Sequence, residues 1–132
     1  MDAERIIIIS DASVMTARQK GRELGVSVGI AGSSLTLMAT AISEIARNIV
    51  QYAGQGEIEF RSVVRGGKRG LMIIARDSGP GIADISQAMQ DGFSTSRGMG
   101  LGLPGARRLM DDFEIVSEPG KGTTVSMTKW EF

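Results

Sequence analysis

Glu44 and Asn48 lie four residues apart in a stretch of helical pattern. On an α-helix that spacing sends both side chains from one face, about one turn or ~5.4 Å apart along the axis. A carboxylate so placed can take a proton during a transfer reaction. An amide oxygen suits a hard cation such as Mg2+, which keeps several waters and needs few protein ligands. A solvated polar pair on the wet side of an amphipathic helix would show the same spacing. Asp77 ends an apolar run and precedes Gly79, Gly81 and Ile82. Glycines there let a flat ring approach the backbone with the carboxylate at the floor of a pocket, and an Asx turn closing a strand is the plainer alternative. Gly98, Met99, Gly100, Leu101 and Gly102 precede Pro104, a residue suited to the first turn of a helix. Bare N–H groups that end at a helix amino terminus favour phosphate, although a surface loop has the same composition. Thr123 closes the set, after Gly120-Lys121-Gly122.

Composition limits what these residues can be for. The chain has 132 residues, 42% apolar and 23% charged, which is ordinary globular usage and room for one domain spanning 1–132. Fifteen basic and fifteen acidic residues cancel, so the footprint of a nucleic-acid or anionic-membrane binder is missing. Without cysteine or histidine there is no thiol or imidazole nucleophile and no common zinc site, so any metal is oxygen-bound. The only apolar run near the N-terminus, Ile6 to Ile9, is far short of a signal or a membrane span, and the expected location is cytoplasmic. Eight of the 18 glycines fall between Gly70 and Gly105, where backbone freedom costs entropy without adding packing, which marks that stretch as a binding segment.

The elements that must hold these groups can be read in order. Ile6 to Ile9 reads as a strand, and Ser10-Asp11 caps a helix to about Leu24 with Gly25 as its stop. Leu35, Met38, Ile42, Ile45 and Ile49 recur at steps of three and four, predicting a helix from Gly32 to Tyr52. Glu57 to Val64 and Leu71 to Asp77 form strands joined by a turn at Gly66-Gly67, and the second strand, apolar on both faces, is central. A helical pattern near Ile85 to Met89 follows. Ala106, Leu109, Met110 and Phe113 repeat at helical spacing, with strands near Phe113 to Ser117 and from Thr123 to Trp130. The order predicts an α+β two-layer sandwich, with a mixed, mostly antiparallel sheet and helices packed on one face.

Familiar phosphate motifs do not fit. Gly66-Gly67-Lys68 lacks the spacing and hydroxyl of a Walker loop, and Gly100 to Gly105 follows a polar loop instead of the strand a dinucleotide fold requires. Asp91-Gly92-Phe93 has the wrong order for a eukaryotic-type kinase. What remains is an ordered set: Glu44-Ile45-Ala46-Arg47-Asn48 with Tyr52, Asp77 to Ile82, Gly98 to Gly102, and Gly120 to Thr123. This set resembles the GHKL superfamily of gyrase, Hsp90, MutL and histidine-kinase ATPase domains, and the resemblance spans essentially the whole chain.

The resemblance implies the Bergerat ATP-binding fold, with ATP and Mg2+ as cofactors. It implies Glu44 as catalytic base and Asn48 as the Mg2+ ligand. Asp77 would accept the adenine amino hydrogen, Thr123 would lie near the adenine, and the glycine boxes would meet the phosphates. Phe93 to Arg97, with Thr95, would cover the nucleotide, Arg97 lying either within reach of the γ-phosphate or in solvent. Clamp ATPases need further domains and histidine autokinases need a histidine, so the small serine/threonine kinases of bacterial sigma-factor pathways are the better match. Tyr52-Ala53-Gly54, Asp91 to Ser96 and Gly102 to Gly105 look most like the stressosome switch-kinase type. Its implied substrates are STAS-domain stressosome proteins, and its implied later partner is a downstream output protein such as a phosphatase. An ATP-gated binding module and an anti-sigma factor share every one of these motifs and stay open.

Overall fold

Ser10 starts the first helix by a reciprocal bond with Ser13. The Ser13 backbone N–H donates to Ser10 Oγ at 3.3 Å, and the Ser10 N–H donates to Ser13 Oγ at 2.9 Å. Two of the four donors that a helix leaves unsatisfied at its start are met in this way. In the computed structural model, which describes residues 3–79, 81 and 102–131, strand β1 (Glu4–Ile8) leads into helix α1 (Asp11–Ser27) and then helix α2 (Gly32–Asn48). A π-helical turn (Ile49–Ala53) follows, then strands β2 (Gly56–Arg65) and β3 (Lys68–Asp77). Helix α3 (Gly102–Leu109) and strands β4 (Asp112–Glu118) and β5 (Gly122–Trp130) complete the described chain. The helical pattern near Ile85 to Met89 lies outside the described residues.

The strands form one sheet in the order β1-β2-β3-β5-β4. Every pair is antiparallel, so the expected mixed character is absent among the described strands. β3 is the central strand, as its two apolar faces require. The β2–β3 connection has Gly66 at φ 57° and Gly67 at φ 83°. Two successive positive φ values match the right-handed twist of a two-residue hairpin and favour glycine, asparagine or aspartate there.

One face of the sheet carries Ile8, Ile58, Phe60, Leu71, Ile73, Val125 and Met127, all buried against the α2 stripe of Met38, Ile42 and Ile45. The register puts Glu59 and Arg5 opposite one another on the other face, with Glu57 opposite Arg76. Glu59 is enclosed by charge: Arg61 Nε donates to Oε2, Arg76 Nη1 donates to Oε1 at 2.8 Å, and Arg5 Nε lies 3.7 Å away. The Arg61 hydrogen bond, followed by that of Arg76, holds the Glu59 carboxyl at a pKa of about 2. Arg76 is raised in turn, chiefly by its bond to Glu59.

Three sequence boundaries move. α1 does not stop at Gly25 but runs to Ser27. A Cβ at Gly25 would meet Met38 Cε at 2.6 Å, and one at Gly21 would meet Ile42 Cδ1 at 2.2 Å, so these glycines are seats for α2. α2 ends at Asn48 and the chain widens into the π turn, closed by the Gly54 N–H donating to the Ile49 carbonyl at 2.8 Å. Phe113 leaves the helical pattern to pair with Met127 in β4, because α3 already ends at Leu109. The Leu109 carbonyl there accepts from Lys129 Nζ at 2.8 Å, a cation satisfying a helix carboxyl end.

Candidate functional site

Glu44 sits in the contact between α2 and α3, its side chain only 6% exposed. It is therefore not on the wet side of its helix. Burying a carboxylate costs far more than burying an amide unless it is paired and hydrogen-bonded, and both oxygens of Glu44 are engaged. Oε2 accepts from the backbone N–H of Gly102 at 2.9 Å, and Oε1 accepts from Arg47 Nη1 at 2.9 Å. The Gly102 N–H belongs to the first residue of α3, where unsatisfied donors and the peptide dipoles favour an anion. A carboxylate on one helix thus closes the amino end of another 58 positions later.

Asn48, one turn beyond, is the last residue of α2 and is half-buried. Its amide oxygen is a donor of the kind that Mg2+ takes, and no ring of protein carboxylates is required when phosphates share the ion. Among the described residues no group of three or more acidic residues could hold a metal by itself. One amide oxygen, that of Asn48, is compatible with a metal that a phosphate ligand brings with it.

Asp77 ends β3 opposite Thr123 of β5 and Gly56 of β2. One of its oxygens, Oδ1, accepts from the Gly79 N–H at 2.9 Å, which is an Asx turn. The turn uses one carboxylate oxygen and so coexists with a ligand at the other. The chain packs tightly around this point. A Cβ on Gly79 would meet Ala53 Cβ at 2.6 Å, one on Gly81 would meet the Glu118 carbonyl at 2.1 Å, and one on Gly122 would meet the Asp77 carbonyl at 2.0 Å. The close approaches that exclude side chains here are made by the protein's own backbone and by the π turn. Ser117 Oγ donates to the Gly122 carbonyl at 3.0 Å and lies 2.8 Å from Thr123 Oγ1.

Two groupings therefore emerge. Glu44, Arg47 and Gly102 meet between α2 and α3, while Asp77, Gly79, Gly81 and Thr123 meet at the end of β3. The stretch Asn48 to Ala53 connects them along the chain. Ile82, Thr95, Arg97, Gly98, Met99, Gly100 and Leu101 lie outside the described residues. Arg47, Gly56 and Ser117 carry no role in the sequence reading. Arg47 was visible as an i,i+3 partner of Glu44, whereas Gly56 and Ser117 need the strand register. A separate surface cleft of about 510 Å³, lined by Met15, Arg18, Arg22, Val26 and Leu35 among others, holds none of these residues.

The chain is similar to known proteins over most of its length. The profile of the histidine kinase-like ATPase domain matches residues 10–129. The serine/threonine-protein kinase RsbT of Bacillus subtilis (strain 168) is 47% identical over 129 residues, covering 98% of this chain and 97% of its own. The anti-sigma F factor of Thermoanaerobacter sp. (strain X514) is 37% identical over 97 residues, covering 69% of this chain and 66% of its own. Among solved structures, the mycobacterial sensor histidine kinase MprB superposes with a TM-score of 0.56 at 15% identity, covering 98% and 97% of the two chains. The histidine kinase domain from Erythrobacter litoralis EL346 gives 0.54 at 17% identity, covering 90% of this chain and 59% of its own. These two likenesses show the fold alone.

Proposed function

Because the chain belongs to the histidine kinase-like ATPase domain family, we propose that it is a single-domain, ATP- and Mg2+-dependent protein serine/threonine kinase, acting in the cytoplasm on STAS-domain partners of a stress-signalling switch. The observation that carries the reading is the buried Glu44 carboxylate, anchored on the α3 amino end one turn before Asn48. A carboxylate kept there at the cost of its hydration is a positioned proton acceptor. Near-full-length identity of 47% to a protein named as a serine/threonine kinase supports the same chemistry.

In this reading Asp77 and Thr123 hold the adenine, Gly79, Gly81 and Ile82 border it, and the Gly98 to Leu101 stretch presents N–H groups to the phosphates, whereas the Gly102 N–H, expected from the sequence to do the same, is taken by Glu44. Thr95 and Arg97 belong to the cover over the nucleotide. Asn48 would hold Mg2+, which when bound neutralises phosphate charge. Glu44 takes the proton of the attacking hydroxyl as its oxygen bonds to the γ-phosphorus, and the bond from that phosphorus to the β,γ-bridging oxygen breaks to release ADP. The partner leaves as a phosphoserine or phosphothreonine protein, and the freed kinase then engages a downstream output protein such as a phosphatase.

The test is incubation of the protein with labelled Mg-ATP and STAS-domain proteins from its own genome, followed by mapping of the phosphorylated residue. Glu44→Ala is expected to keep its ATP affinity by calorimetry and to lose transfer. Transfer at the wild-type rate in Glu44→Ala would remove the base from the scheme. The anti-sigma reading rests on a shorter match of 97 residues. It gains if a sigma subunit, and no STAS-domain protein, is retained in the presence of ATP.

A further inference from the structure

Arg47 is absent from the roles assigned above, yet it makes one of the two hydrogen bonds that fix Glu44. The two side chains differ sharply in exposure, 49% for Arg47 against 6% for Glu44. Arg47 therefore caps the carboxylate from the solvent side, while Gly102 holds it from the protein side. A glutamate reaches its carboxylate through three rotatable bonds, and a single hydrogen bond at Oε2 leaves the group free to pivot about that contact. The second bond at Oε1, charge-assisted and at 2.9 Å, removes the pivot. We propose that Arg47 is a positioning residue for the phosphate-transfer reaction, acting through Glu44 by setting the orientation of its carboxylate toward the incoming hydroxyl. The inference rests on the reading of Glu44 as the base.

Two measurements separate this role from a structural one. Glu44 is buried although Arg47 is half exposed, so removing Arg47 leaves the carboxylate with one bond and costs stability, and urea unfolding of each variant separates that cost from an effect on the rate of the folded protein. The nucleotide groups named above do not include Arg47, so its loss acts on the rate and leaves ATP affinity alone. Misorientation of a reacting group by about 1 Å costs up to ~100-fold in rate, and loss of one of two anchors is expected to cost about 10- to 100-fold. Lysine keeps the charge but lacks the planar fork, so Arg47→Lys should recover part of the loss.

The experiment uses the full chain with radiolabelled Mg-ATP. It measures single-turnover release of phosphate to water and, in a second arm, transfer to a STAS-domain protein from the same genome, for wild type, Arg47→Met, Arg47→Lys and Glu44→Gln. ATP affinity is measured in parallel by calorimetry. The expected result is a rate for Arg47→Met lower by at least 10-fold at unchanged ATP affinity, with Arg47→Lys between it and wild type. A wild-type rate in Arg47→Met beside an inactive Glu44→Gln overturns the role of Arg47 alone. A wild-type rate in Glu44→Gln overturns the base assignment and the positioning role together. Rate and ATP affinity falling in step in Arg47→Met would make Arg47 a nucleotide contact and also overturn the proposal.

Discussion

Replacing Gly122 by alanine places a methyl group where the structure has no room. The added Cβ would lie 2.0 Å from the Asp77 carbonyl oxygen and 2.9 Å from both the Asp77 carbonyl carbon and Ser78 Cα, all of them backbone. No side-chain rotation relieves such a contact, so β3 and β5 must separate at their ends. Overpacking of this kind costs about 1–3 kcal/mol. The backbone at Gly122 has φ 97°, which adds about 1–2 kcal/mol for an L-residue. Gly120, two residues earlier, supplies the control, since it has φ 79° and an added methyl there would meet nothing within 4 Å. Gly120→Ala therefore carries the backbone cost alone, and Gly122→Ala carries the steric cost as well. The difference, about 1–3 kcal/mol, corresponds to roughly 1 M in urea midpoint at slopes of about 1–3 kcal/mol/M. Equilibrium urea unfolding of the two variants and the wild type measures it. Equal midpoints for Gly120→Ala and Gly122→Ala would refute the reasoning, because they would show that the Asp77 backbone yields at no cost.

Asp77→Asn is expected to weaken ATP binding by about one to two orders of magnitude, as loss of a charged hydrogen-bond acceptor is worth about 1.5–3 kcal/mol, and unchanged affinity by calorimetry would exclude an adenine contact. Glu59 predicts an acid limb. Its carboxyl is lowered from 4.5 to about 2 in the folded chain, so it stabilises the fold above the unfolded value and loses that contribution as pH falls from about 4.5 toward 2. Urea midpoints should therefore drop more steeply with acid in the wild type than in Glu59→Gln, and parallel profiles would count against the arginine enclosure.

Much of the architecture is legible locally because local chemistry sets it. Ser10 and Ser13 start α1, Gly66-Gly67 between two strand patterns supplies the positive φ values that a two-residue hairpin requires, and the two-sided apolar pattern of residues 71–74 belongs to a central strand. Gly25 misleads because a glycine in helical pattern looks the same whether it ends a helix or seats a neighbour, and the neighbour, Met38, is chosen by tertiary packing. The burial of Glu44 is hidden for the same reason, since its partner Gly102 lies 58 residues away and arrives only with α3. Glu59 reads as a surface charge on an alternating strand until the register sets Arg5 and Arg76 beside it. The pairing of Asp77 with Thr123 follows from the β3–β5 ladder, although the motif order already had both in one site.

The crowding around the end of β3 bears on how this family can be read across genomes. Gly79, Gly81 and Gly122 are small because Ala53, Glu118 and Asp77 press on them. A descendant that had abandoned nucleotide altogether would keep all three to preserve its fold. On the function proposed above, side chains that serve the ligand and not the packing, such as the amide of Asn48, would be released from selection, so a degenerate copy should be recognised by changes there while these three glycines stay intact.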